Sequence, residues 1–197
     1  MDVSAPPVSR GFFGRRPDIA DPARLPRGQY VTLDFPVLSA GPSPDTPPQE
    51  WIFTIDGEVG EPVSWTGEAF LASPSETVTA DIHCATTWTR LDTTWHGVAL
   101  DTLLDDMVTA AKYLSVWSDG AYTTNLTIED VVDGQAWCVH DDGDPDLAGL
   151  LRNLHCWKSA KWVRGLTLTA GNEPGFWETY GNHDHGDPWF EQRCRRE

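Results

Sequence analysis

Two short stretches concentrate residue types that bind metals and anions: Asp81-Ile82-His83-Cys84-Ala85-Thr86-Thr87-Trp88 and His155-Cys156-Trp157-Lys158-Ser159-Ala160-Lys161-Trp162-Val163-Arg164-Gly165. Each holds a His-Cys dipeptide. A thiolate is a soft ligand, and Cys84, at a strand end and followed by small hydroxyl residues that leave room, has the character of a metal ligand. The alternative is a small buried hydrophobe. In the second stretch Lys158, Lys161 and Arg164 gather three of the chain's 14 cationic side chains. With Ser159 they suit a phosphate or a pterin-type heterocycle, through point charge, fork geometry and hydroxyl donation. The alternative there is a solvated turn before a strand.

Other candidates carry less. Asn182-His183-Asp184-His185 sets two imidazoles beside a carboxylate, a spacing that suits zinc or a solvated loop, with no third ligand adjacent. A structural zinc site from His83, Cys84, His155 and Cys156 would need neighbouring strand residues to face one ion, although strand side chains alternate. His96 falls in an expected surface turn and His140 in an expected strand. Asp105-Asp106 and Asp141-Asp142 read as solvated faces, although an acidic patch also suits a basic electron-transfer partner. Neither G-x-G-x-x-G nor G-x-x-x-x-G-K-[ST] occurs, so a nucleotide is not held by a recognisable phosphate loop.

The elements that must position these residues follow from periodicity. Trp51, Phe53 and Ile55 alternate with Ile52, Thr54 and Asp56 ahead of an Asp56-Gly57 turn, which predicts a strand and hairpin. Residues 66–71 predict a short helix and 77–82 a strand ending at His83-Cys84. Leu103, Leu104, Met107 and Ala111 predict an amphipathic helix over 100–111, its acids Asp101, Asp105 and Asp106 on the other side. Strands are expected at 112–118, 135–140 and 163–169, and a Thr127-capped short helix at 127–130. Strands and short helices in irregular order predict an α+β fold rather than a doubly wound one.

The whole chain, 197 residues with a net charge of −16, reads as one domain, 1–197, with an extended Pro/Gly-punctuated wrapping arm over 1–50 and a C-terminal tail over 181–197. That charge argues against nucleic acid and anionic membrane partners, which need a positive field. No apolar run approaches the roughly 20 residues of a membrane-spanning helix. Arg15-Arg16 is followed by Pro17 and Asp18 rather than an apolar stretch, and the four cysteines lack C-x-x-C spacing; both suggest a cytoplasmic protein with reduced thiols. Ten tryptophans imply a core or cleft built of large amphipathic rings.

Taken together, Ile82-His83-Cys84 with Trp88, Leu91-Asp92, Trp95 and Gly97-Val98, and later Trp157-Lys158-Ser159-Ala160-Lys161-Trp162-Val163-Arg164-Gly165, resemble the molybdopterin-binding domain of the sulfite oxidase family. Small bacterial sulfite oxidase-like oxidoreductases are the most similar. Phe35-Pro36-Val37-Leu38-Ser39-Ala40-Gly41-Pro42, Asp119-Gly120, Tyr122-Thr123-Thr124-Asn125-Leu126, Glu173-Pro174-Gly175-Phe176-Trp177 and Gly186-Asp187-Pro188-Trp189 agree. The resemblance implies an α+β fold of mixed sheets holding one pyranopterin molybdenum cofactor, with Cys84 ligating the metal. It implies that Lys161, Ser159, Arg164, His83 and Ser39 bind the cofactor and that Tyr122 stands beside the metal as a hydrogen-bonding group. The activity implied is two-electron oxygen-atom transfer, with electrons exchanged through a separate protein.

Two departures shape that expectation. Sulfite-oxidising members carry paired arginines just past the cysteine, where this chain has Thr87, Trp88 and Thr89 with Arg90 nearby. A neutral sulfoxide or N-oxide is therefore the expected substrate rather than sulfite. Before the Lys-rich segment, a cofactor-contacting His-Gly-x-Pro and arginine are missing and the chain is shortened. Leu147, Leu150, Leu151 and Leu154 fall at helical spacing, as if a helix replaced that loop, leaving Arg152, or Arg164 and His140, to supply the contacts. The alternative function is a cofactor-free binding or assembly module on the same fold.

Overall fold

A computed structural model describes residues 21–33, 46–47, 49–141, 150–153, 160–182, 184–185 and 187–190. Ten strands among them form two mixed sheets. The first contains β1 (Tyr30–Val31), β4 (Glu76–His83), β5 (Trp88–Ala99), β8 (Ala136–Asp141) and β9 (Leu150–Asn153). Within it β5 pairs antiparallel with β4 and β8, β8 pairs antiparallel with β9, and β1 runs parallel to β5. The second runs in the order β3 (Val63–Thr66), β2 (Ile52–Gly57), β10 (Val163–Thr169), β6 (Tyr113–Ser118), β7 (Thr123–Thr127). Its β2–β10 pair is parallel and the others antiparallel.

The main core takes the inward residues of the second sheet, Phe53, Ile55, Leu114, Val116, Leu126, Leu166 and Leu168, together with Val98, Ala136 and Cys138 of the first. The opposite face of β5 and β8 forms a smaller, tryptophan-rich cluster of Trp88, Trp95, Trp137 and Val139 with Ile82 and Ala99. The alternation of Ala136 and Cys138 against Trp137 and Val139 is the expected one, and each set meets a different core. Burial pushes the Cys138 thiol up to about 12, as for a small hydrophobe. Gly165 lies where a Cβ would come within 2.3 Å of the Thr54 carbonyl oxygen and 2.5 Å of the Trp117 ring, so that ring packs directly on the strand backbone.

The short helix at α1 (Gly67–Leu71) starts as expected, with the Thr66 hydroxyl accepting from Ala69 N–H at 3.2 Å. Thr127 likewise caps a 3-10 turn over Ile128–Asp130. Three expectations need correction. The helix over 100–111 stops early, as α2 (Leu100–Leu104), with Leu100 and Leu103 buried. Ala99 gives it no side-chain cap, and Asp105 at its C-terminal end opposes the helix dipole. Met107 and Ala111 still pack on the core from irregular chain. At 150–153 the leucine spacing predicts a helix, but the chain forms β9, pairing with β8 in the register Cys138↔Leu151. A run this short fits either period, and the edge of β8 offers backbone partners that decide it. His96 belongs to β5 rather than a turn; its Nδ1 lies 3.0 Å from the Thr77 hydroxyl and its ring 5.2 Å from His140. A further short helix, α3 (Phe176–Thr179), follows the second sheet.

Candidate functional site

Cys84 is the first residue of the loop joining β4 to β5. Cys84 N–H donates to the Trp88 carbonyl at 2.8 Å and Thr87 N–H to the Cys84 carbonyl at 2.9 Å. Thr87 takes a left-handed conformation, φ 74°, to close the loop. The thiol is half-buried, with Sγ 3.1 Å from the Thr86 hydroxyl. Burial pushes its pKa up, while the Thr86 hydrogen bonds and the positive charge of Lys161 pull it down. Lys161, 77 positions further along the chain, thus acts on the Cys84 thiol through its charge.

Lys161 precedes β10, its ammonium 6.0 Å from the Trp162 ring centroid. Trp162 has φ 52°, and its carbonyl accepts from Asp119 N–H at 3.0 Å, tying the segment to the end of β6. Between Val163 and Gly165 the pairing with β6 shifts register, so Arg164 is the extra residue of a bulge. The bulge changes the phase of β10: Val163 is buried in the same core as Leu166 and Leu168, where simple alternation opposes them. It also turns Arg164 toward Asp119, Nε to Oδ1 3.6 Å, and toward the Glu50 carbonyl, 3.5 Å from Nη2. Arg164 itself is largely buried. Arg164 Nη1 and the Ser118 hydroxyl are buried without a partner among the described residues. A buried, unsatisfied guanidinium nitrogen close in sequence to a lysine suits an anionic group.

The other expected residues are placed as follows. His83 is buried, its Nδ1 2.9 Å from the Thr89 hydroxyl and its ring 4.8 Å from Trp189, edge to face. Tyr122 belongs to the β6–β7 turn and packs on Phe176, with ring centroids 5.4 Å apart. Ser39 and Ser159 lie outside the described residues, as do His155, Cys156, Lys158 and His183. No three His, Cys, Asp or Glu side chains among the described residues are grouped to hold a metal ion; His185 of the tail instead bonds Asp130, 3.0 Å apart. His140 Nε2 lies 3.2 Å from the Ser75 hydroxyl. Residue type alone misses Arg24 and Gln29, which grip the Cys84 hairpin. Arg24 Nε and Nη2 bond Asp81 and Nη2 bonds Asp92 at 2.7 Å. Gln29 Nε2 donates to the Cys84 carbonyl at 3.5 Å.

Three likenesses accord with this arrangement. Residues 40–177 match the family described as the oxidoreductase molybdopterin binding domain. An uncharacterized oxidoreductase, YuiH, of Bacillus subtilis (strain 168) is 35% identical over 196 residues, covering 92% of this chain and 98% of its own. The crystal structure of the sulfane dehydrogenase SoxCD from Paracoccus pantotrophus superimposes with a TM-score of 0.56 at 20% identity, over 66% of this chain. This chain spans only 40% of that one, so the likeness speaks to the fold. No helix among the described residues is long and apolar enough to cross a membrane. With mixed sheets, short helices and a family match over most of its length, the chain belongs to the oxidoreductase molybdopterin binding domain family, the molybdenum-binding domain of sulfite oxidase-type oxidoreductases.

Proposed function

We propose that the chain holds a single pyranopterin molybdenum cofactor through Cys84 and transfers oxygen atoms to or from a neutral S- or N-oxide rather than sulfite. The observation that carries this reading is the match of residues 40–177, which include both Cys84 and Lys161, to the molybdopterin binding domain; the Lys161 charge also pulls the Cys84 pKa down, against the larger effect of burial. When bound, such a cofactor supplies two-electron redox chemistry at an oxygen-carrying metal. Lys161, Ser159 and Arg164, with Ser39 from the earlier segment, bind the pterin and its phosphate; Arg164 Nη1, buried without a partner among the described residues, supports that role. Thr86 and Lys161 favour the thiolate of Cys84 against the burial that opposes it. His83 belongs to the same cofactor-binding set, and Tyr122 is the hydrogen-bonding group beside the metal.

The preference for a neutral substrate rests on the residues next to the ligand. Ala85 to Thr89 carry no charge, and Thr89 is buried in hydrogen bonds to His83 and Gln29. An anion would approach a chain of net charge −16 with little local cation density to guide it. The same charge suits a separate, basic electron-transfer protein. We further propose that residues 1–197 act as one domain, and that Cys84 and Cys138, both free thiols, work in the cytoplasm.

The test is to produce the protein in a host that makes the cofactor and measure molybdenum and released pterin per chain. Near-stoichiometric values are expected for the wild type. Cys84→Ser is expected to lose the thiolate-to-metal absorption and all activity while remaining folded, and Lys161→Ala to lower occupancy rather than turnover per bound metal. A folded wild type with neither metal nor pterin overturns the reading in favour of a cofactor-free binding module. Wild-type activity in Cys84→Ser overturns the ligand assignment, and preferential turnover of sulfite over sulfoxides and N-oxides overturns the substrate class.

A further inference from the structure

Behind the Cys84 loop runs a chain of buried polar side chains, of which Gln29 and Thr89 have no part in the chemistry above. Gln29, Thr89 and His83 are 7%, 0% and 3% exposed. The Thr89 hydroxyl donates its one proton to Gln29 Oε1, so the same oxygen accepts from His83 Nδ1–H. The Cys84 carbonyl oxygen can only accept, so it fixes the Gln29 amide: Nε2 faces it, 3.5 Å away, and Oε1 faces Thr89.

The backbone around Gln29 grips the same loop. Tyr30 N–H donates to the Thr87 carbonyl at 3.1 Å and Thr32 N–H to the Thr89 carbonyl at 2.8 Å. Further along the hairpin, the β4–β5 register shifts between Ala80 and Ile82, and Asp92 takes φ 51°. There Asp81 accepts from Asp92 N–H at 2.9 Å, and Arg24 binds both carboxylates. The stretch from Arg24 to Thr32 therefore holds the hairpin at its tip and at its irregularity. A ligand must be kept within roughly 0.5 Å of its working position. A short loop with two backbone bonds of its own and a left-handed Thr87 gains that rigidity from a second element.

We propose that this stretch is a strap and that Gln29 is a positioning residue, which acts through the Cys84 carbonyl and Thr89 to fix the direction in which the Cys84 thiol projects. This rests on the reading of Cys84 as the metal ligand, and it deepens that reading by naming what holds the ligand still.

The experiment uses Gln29→Met, which keeps length and volume but removes both hydrogen bonds, with Thr89→Val and Thr89→Ser as a second pair. In metal-free protein, iodoacetamide labelling of Cys84, read by mass spectrometry of its peptide, is expected to quicken at least about threefold in Gln29→Met and Thr89→Val. Thr89→Ser, which keeps the hydroxyl, is expected to label at the wild-type rate. In loaded protein the thiolate-to-metal absorption of Gln29→Met is expected to shift at unchanged molybdenum content. Equal labelling of Thr89→Val and Thr89→Ser, or wild-type labelling and absorption in Gln29→Met, overturns the proposal. Should Gln29→Met fail to fold, the Thr89 pair decides. The labelling arm needs no metal, so a protein that never binds molybdenum defeats the ligand reading without deciding the strap.

Discussion

Between β2, β6 and β10 the interior consists of Phe53, Ile55, Leu114, Val116, Leu166 and Leu168, whereas behind the Cys84 loop Gln29, His83 and Thr89 form a hydrogen-bonded polar chain, and both sets are buried. Burial of the first set is non-directional: any residue of similar volume and polarity supplies nearly the same stabilisation. Burial of the second is directional, because each donor removed from water must meet a particular acceptor. The sheet that bears Lys161 and Arg164 is thus a scaffold with latitude, and the polar chain behind Cys84 is specified by its hydrogen bonds. A reactive thiol profits from the second kind of support, since direction rather than bulk stability is what a ligand requires.

The apolar interior is most exposed to loss at Phe53. Its ring packs against Phe70, with centroids 5.1 Å apart, and against Trp65, at 6.0 Å. Phe53→Ala should cost about 4 kcal/mol through lost transfer energy and a residual cavity, measured by denaturant unfolding. If the interior is as tolerant as its chemistry implies, Phe53→Leu should recover more than half of that loss. A Leu variant as unstable as the Ala variant would show that this core, too, depends on one exact shape.

The same contrast explains what the sequence reveals and what it hides. The period-2 runs of β2, β6, β8 and β10 are readable because apolar burial imprints alternation on the chain. Thr127 is readable as a cap because its hydroxyl acts three residues away, on Asp130 N–H. Cys84 and Lys161 are readable because thiol and ammonium have few roles in common use. Irregularities are not readable: the bulge that aims Arg164, the shift that leaves Asp81 facing Arg24, and the early end of α2 leave no periodic trace. The β9 strand is set by a partner edge, and its leucines fit a helix as well. Gln29 is hidden most completely, since its role depends on Cys84 and Thr89, 55 and 60 positions away.

A smaller effect separates the regions by pH. Burial works to raise the Asp81 pKa, but hydrogen bonds from Arg24 and Asp92 N–H, with the charges of Arg24 and His83, hold it below the usual 3.8. A carboxylate whose pKa is lower folded than unfolded contributes stability above the unfolded value and loses it as pH falls through the folded one. The hairpin should therefore loosen below about pH 4, before the apolar interior responds. Asp81→Asn should cost about 1–2 kcal/mol at pH 7, a figure reduced for the partial exposure of Arg24. It should also flatten the fall in stability as pH drops below about 4. Parallel stability–pH curves for wild type and Asp81→Asn would remove the Arg24 clamp from the argument.

The smallest effect has the opposite sign. Thr93 is buried on β5, and its hydroxyl finds no partner among the described residues. Thr93→Val keeps the branched shape, suits a strand, and removes a buried hydroxyl that lacks a hydrogen bond. It should therefore stabilise the protein by about 0.5–1 kcal/mol, whereas Thr89→Val, the same exchange at a position whose hydroxyl joins two partners, should destabilise it. Measured side by side, the two substitutions change identical atoms in one strand and differ only in hydrogen bonding. Opposite signs would show that the hairpin interior is held by specific bonds; equal signs would reduce it to ordinary burial.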